Sequence, residues 1–293
     1  MLRKAGSVYL IIAAQLIGVA TSVVLAFVSQ NNNPYHLGFY RFLIGFILFL
    51  PFVRLIGKLS KKTYVASFLY AVDILFFIVA LSLTKLALVT AIVAAGPLIA
   101  VFLEKKRSNT QLSKSGKITI FLVFVGVICT TVPVLFDYLF TLGSDSSDNS
   151  NVYGIIFALL AGFTSALSIV LFKEESAENP WGRTLSINIA GLLLSAPVLI
   201  LIPVNINYSI IAGAAVAAIG GGGVAIVLTL LALRSLPGSI AMALSAVGIP
   251  LSAIFGLLFL QQDLDIYISA GVLCITIAVI VSSIKPSIQE IEA

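Results

Sequence analysis

Of 293 residues, 60% are hydrophobic and 10% charged, where a soluble domain keeps roughly a quarter of its residues charged; the composition is that of an integral membrane protein. Seventeen Lys and Arg against twelve Asp and Glu leave a net charge of +5, but that excess is confined to alternate connections and reflects topology, not a nucleic-acid partner. With two cysteines and one histidine, no disulfide scaffold and no metal centre is expected.

Apolar segments long enough to cross the hydrocarbon as helices run at 7–28, 35–56, 64–83, 86–103, 118–136, 152–172, 184–204, 209–233, 237–260 and 266–284. Their apolar character is continuous and not alternating, and an open sheet edge cannot sit in lipid, so strands are excluded. The first segment has the charged start and apolar core of a cleaved signal. It is too long for the usual core, however, and is itself one copy of a repeat, so it reads as the first membrane helix. Only Lys85 marks the break between the third and fourth segments. The most polar stretch, Thr141 to Asn151, is rich in Ser, Asp and Asn and reads as a solvated loop between two halves. Cys129 and Cys274 take matching places in the fifth and tenth segments and read as small packing residues.

The chain is written twice. Val8-Tyr9-Leu10-Ile11-Ile12 followed by Asn33-Pro34 returns as Val152-Tyr153-Gly154-Ile155-Ile156 followed by Asn179-Pro180. Gly45 and Pro51 return as Gly191 and Pro197, and Gly126-Val127-Ile128-Cys129 returns as Gly271-Val272-Leu273-Cys274. Each half holds five segments, and two copies of an odd-span unit in one membrane face opposite ways. The expected fold is therefore an all-α integral membrane protein with ten transmembrane helices, built as two inverted five-helix repeats over residues 1–143 and 152–293. With the N-terminus in the cytoplasm, fifteen of the seventeen basic residues fall on that side; Lys85 falls outside and Arg41 lies within a span. Both termini are thus expected in the cytoplasm.

These features resemble the drug/metabolite transporter superfamily, specifically its EamA-like members. Pro34 followed by Phe39-Tyr40-Arg41-Phe42 looks like that family's motif at the start of the second helix. Ala80-Leu81 leading to Pro97, and Leu231-Ala232-Leu233 leading to Pro250, look like its Ala-Leu then Pro signature in each repeat. Ile17 and Ala161 stand where members often carry Trp. The usual Gly-Glu is absent after the fourth and ninth spans, where Glu104 arrives early and Gln261-Gln262-Asp263 replaces the second copy. The resemblance implies alternating-access transport of small metabolites through a cavity between the repeats, often export of amino acids or related compounds across the cytoplasmic membrane. It also implies that the first helix of each repeat lines that cavity, which favours Gln15 as a cavity residue.

Candidate chemistry lies among the helices, since every connection is short. Asp73, near the middle of the third span, is costly in lipid unless paired or facing water. It is expected either to carry a coupling proton or to bind a cationic substrate group, with a structural pair to Arg41 as the rival reading. Arg41 is expected to hold Asp73, to close the outer side, or to clamp a substrate carboxylate. Tyr70, Phe76 and Phe77 can line a pocket, while Trp181 suits interfacial anchoring. Asn188 reads as interhelical glue. The run Gly220 to Gly223 lacks the strand and Lys of a phosphate loop. It reads as close helix packing or as an unwound segment that aids rocking. Pro97 and Pro250 read as hinge or gate elements, each removing a helix hydrogen bond. His36, the sole histidine, reads as a surface residue at the outer end of the second span.

With one histidine, one clearly intramembrane Asp and no His-Glu zinc motif, catalysis is disfavoured, and no cofactor is expected. A channel usually needs rings of charge or carbonyls made by symmetry; a channel or a non-transporting scaffold is the alternative from another class. The expected partners are a small-molecule substrate, the lipid bilayer and, as candidate coupling ions, protons. A cationic amine, drug-like compound or vitamin is the alternative cargo.

Overall fold

The computed structural model describes residues 2–93, 96, 114–141, 150–202, 207–236, 244–245, 247–263 and 265–284. Pro97, Glu104, the basic cluster Lys105-Lys106-Arg107 and residues 142–149 of the central loop lie outside them. The described residues form helical rods and no strand. In chain order they are α1 (Leu2–Asn31), α2 (Pro34–Phe49), α3 (Lys61–Leu83), α4 (Leu86–Val93), α5 (Lys114–Thr141), α6 (Ser150–Glu174), α7 (Pro180–Leu201), α8 (Tyr208–Ala232), α9 (Gly248–Leu260) and α10 (Ile266–Ile284). Among the described residues, five helices are long and apolar enough to cross a membrane: Gly6–Asn31, Pro34–Ile56, Lys61–Leu83, Ser150–Glu174 and Tyr208–Ala232. Phe121–Val132, Gly248–Leu260 and Ile266–Ala278 are shorter apolar helices.

Local chemistry fixes where the rods begin. Asn33 Oδ1 accepts the Tyr35 N–H at 2.9 Å, and Asn179 Oδ1 accepts that of Trp181 at 3.0 Å. In both Asn-Pro pairs the proline opens the helix, where its missing N–H would have no partner anyway. Ser60 caps α3 through the Thr63 N–H (3.2 Å), and Asn207 caps α8 through that of Ser209 (3.2 Å). Pro51 ends the α-helical part of the second rod, which continues as a 3₁₀ turn over Leu50–Lys58. Its counterpart Pro197 instead sits inside α7.

The bundle exposes large apolar side chains that a soluble protein would bury, and it buries several polar ones. Leu201, Tyr208 and Ile266 are more than three-quarters exposed, while Arg41, Ser67, Asp73, Ser168, Arg183, Asn188 and Ser252 are buried. A surface of large apolar side chains around a partly polar interior is what hydrocarbon selects.

The rods pack in matched couples. α1 lies on α8 and α3 on α6; α1 lies on α9 and α4 on α6; α2 lies on α8 and α3 on α7. α2 crosses α7, α4 crosses α9, and α5 lies along α10. Glycines make the closest crossings. A Cβ on Gly45 would come within 3.0 Å of Asn188, and one on Gly191 within 3.0 Å of the Phe42 ring. A Cβ on Gly126 would stand 2.8 Å from the Gly271 carbonyl, and one on Gly271 2.6 Å from the Gly126 carbonyl.

At the α2–α3 end three connections are tied together. Glu178 Oε1 accepts the Ser60 N–H (2.6 Å), its Oε2 accepts the Thr63 hydroxyl, and Arg183 Nε stands 3.7 Å from Oε2. Lys62 pairs with Glu174 at 3.0 Å, and Lys173 donates to the Leu233 carbonyl at 2.7 Å. At the opposite end the ties are mostly uncharged: Asn207 Nδ2 donates to Asn32 Oδ1 (3.3 Å), and Gln262 Oε1 accepts the Leu86 N–H (3.0 Å).

Candidate functional site

A cavity of about 260 Å³ opens among α1, α2, α3, α4, α6, α8 and α9. α1 supplies Gln15, Gly18, Val19, Thr21, Ser22 and Leu25, a spacing that keeps one helix face turned inward. Gln15, Arg41, Tyr70 and Phe77 all line the cavity. Gln15 sits where α1 meets α9: a Cβ on Gly248 would lie 2.8 Å from its Oε1. Tyr70 packs edge-on against Phe172, ring centroids 6.1 Å apart.

Asp73 does not line the cavity. It is 8% exposed and lies beside the side chain of Ser165, a cavity residue on α6. The direct pair with Arg41 is not formed, since among the described residues no carboxylate oxygen stands within 4.0 Å of that guanidinium. Arg41 is instead held by packing. Its Cζ lies 4.9 Å from the Phe42 ring centroid, its Nη2 abuts Gly222, where a Cβ would come to 3.2 Å, and its buried Nη1 has no hydrogen-bond partner.

Sequence reasoning missed the hydroxyls. Thr21, Ser22, Thr90, Ser165, Thr229 and Ser245 line the cavity. Thr21 donates to the Ile17 carbonyl (2.8 Å), Ser22 to Gly18 (2.9 Å) and Thr229 to Ala225 (2.9 Å). Each thereby commits its only proton to its own helix and turns an acceptor toward the cavity. Ser and Thr are ordinary in membrane helices, so no one-dimensional signal marks those that share a face.

Several sequence expectations are corrected. The four glycines are not unwound: Ala217–Ala225 is a π-helical stretch within α8. Cβ atoms at Gly220, Gly221, Gly222 and Gly223 would press on Thr21, Thr21, Arg41 and Phe49 respectively, so the run is a close-packing surface toward α1 and α2. Pro250 is the third residue of α9, where its missing N–H removes no bond from that helix. His36 is not on the surface: it is 1% exposed, neither ring nitrogen has a partner, and it borders a second pocket of about 500 Å³ with Gln30, Asn31, Asn32 and Asn33. Asn188 donates to the Thr184 carbonyl of its own helix at 2.8 Å and meets α2 only by packing on Gly45. Trp181 stacks on Phe52, centroids 5.1 Å apart, and is 41% exposed.

No curated protein matches the chain. Among 29 matching chains of solved structures, one described only as "Crystal structure of protein" is 16% identical, with a TM-score of 0.65 over 96% of this chain and 97% of that one. At that identity the likeness shows the fold alone. The sequence model of the EamA-like transporter family matches residues 4–132, from the start of α1 into α5. Members of that family are membrane transporters of small molecules and not enzymes. Over residues 4–132, therefore, the chain is similar to the EamA-like transporter family.

Proposed function

We propose that the protein is a secondary carrier that moves amino acids or related small metabolites across the cytoplasmic membrane by alternating access. The observation that carries this reading is a partly polar cavity among seven helices, with a buried guanidinium in its wall. A cavity of this kind is the expected form of a carrier site between two rocking halves. Export is the direction that the family resemblance implies, with both termini in the cytoplasm.

Ten spans in two inverted repeats is the organisation we infer. The matched packing couples support it, because each maps onto its mate, or onto itself, when five is added to or taken from the helix numbers. The reciprocal contacts of Gly45 with Asn188 and of Gly191 with Phe42 support it in detail. In this reading the two halves rock around the cavity, and Asp73, beside Ser165, handles the coupling proton. The alternative cargo, a cationic amine, is less well served, because no carboxylate lines the cavity among the described residues.

The test is counterflow in proteoliposomes preloaded with an amino-acid mixture. Wild type should give saturable exchange, and Asp73→Asn should abolish it or uncouple it from the proton gradient while elution and melting stay unchanged. Absence of saturable exchange by wild type would overturn the carrier reading; full activity of the Asn variant would remove Asp73 from the mechanism.

A further inference from the structure

Arg41 carries a chemical demand that the protein itself meets only in part. Its side chain is 4% exposed, it lines the cavity, its Nη1 has no acceptor, and no carboxylate stands within 4.0 Å among the described residues. Asp73 acts on it only from beyond 4.0 Å, and a buried guanidinium without an anion in contact is strongly disfavoured. This one is also fixed in orientation, with the Phe42 ring against one side and the Gly222 backbone against another. A planar fork held rigidly at a cavity wall matches a planar anion, which can take two parallel hydrogen bonds from it.

The rest of the wall fills in the cargo. Thr21, Ser22 and Thr229 have committed their protons to helix carbonyls, so toward the cavity they accept from N–H or O–H groups. Leu25, Ile74, Phe77 and Ile249 form an apolar wall.

Resting on the carrier reading, we propose that Arg41 is the carboxylate subsite and that the cavity selects small carboxylic acids bearing a neighbouring hydrogen-bond donor and an apolar side chain. The positive charge of an amino group is not what is read. Asp73 lies beside Ser165 and is not among the lining residues, so no carboxylate in the wall demands a positive charge, and 2-amino and 2-hydroxy acids are both ligands. Amines and amides that lack the carboxylate are not.

The experiment is equilibrium binding to the full-length purified chain. The probes are leucine and phenylalanine, their 2-hydroxy acids, their amides, and the amines left when the carboxylate is removed. Both kinds of acid should bind and compete with one another, with amides and amines weaker by roughly tenfold or more, the loss expected for a charged hydrogen bond. Arg41→Gln should weaken the acids by about 10- to 100-fold and leave the amines where they were. Amines binding as tightly as acids, acids binding Arg41→Gln undiminished, or no acid binding wild type at millimolar concentration would each overturn the subsite. Should the variant not fold, the wild-type probe series alone decides. Counterflow of amines without acids would overturn the subsite and leave the carrier reading standing; acid binding without counterflow would do the reverse.

Discussion

The crossing of α2 and α7 is open to a quantitative test at Gly191. A Cβ there would lie within 3.0 Å of the Cδ1, Cε1 and Cζ atoms of Phe42, where carbon atoms ordinarily rest about 3.5–4.0 Å apart. The ring has nowhere to go, because Phe42 is 0% exposed and lies in the main core cluster. Gly191→Ala must therefore push the two helices apart or turn the ring off its rotamer. Overpacking of a close-packed site costs about 1–3 kcal/mol, and three overlapping ring atoms place this one near 3 kcal/mol. Equilibrium unfolding in mixed micelles would measure it, alongside Phe42→Leu and the double variant. Leu is narrower and can swing aside, so the double variant should be less destabilised than the sum of the singles by at least about 1 kcal/mol, as contacting residues couple. Because Phe42 supports the Arg41 guanidinium, Gly191→Ala should also weaken binding of the acids. A Gly191→Ala protein within about 0.5 kcal/mol of wild type, the range of an inconsequential substitution, would refute the crossing geometry.

Two further substitutions probe the ends of the bundle. Gln261 caps α9 at φ 50, ψ 34, a left-handed conformation that disfavours side chains by about 1–2 kcal/mol. Gln261→Gly should raise the unfolding free energy by about 0.5–1 kcal/mol after the flexibility of Gly is offset, and a decrease in the same unfolding assay would exclude that strain. Glu178→Ala removes the acceptor shared by the Ser60 amide and the Thr63 hydroxyl, as well as the charge facing buried Arg183. Orphaning such a buried partner costs about 3–5 kcal/mol. A loss under 1 kcal/mol would show that the α2–α3 end is not held there.

The rods were legible because lipid leaves a helix little choice: long apolar runs appear at 61–83 and 150–174 almost where the sequence puts them at 64–83 and 152–172. Departures occur where a second influence acts. Pro51 turns the end of the second rod into a 3₁₀ segment. Charges were harder. Arg183 reads as a cytoplasmic loop residue but is 0% exposed, because its partners, the Phe172 carbonyl and Glu178, become neighbours only on folding. Asp73 is conspicuous in sequence because carboxylates are rare in lipid. Whether it faces the cavity or stands behind Ser165 depends on helix rotation, which composition does not encode.

The π-helical stretch Ala217–Ala225 has a consequence for register. A wide turn holds one residue more than an α-turn, so everything after it is rotated about the helix axis by roughly 100° relative to an unbroken α-helix. Thr229 reaches the cavity on the far side of that offset. Removing a single glycine from 220–223 would let the turn tighten to the commoner geometry while Thr229 and every later residue of α8 kept their present faces; tightening without that loss would swing them off. The extra residue is thus slack that the wide turn absorbs, whereas the size of the glycines is fixed by the crossings with Thr21, Arg41 and Phe49.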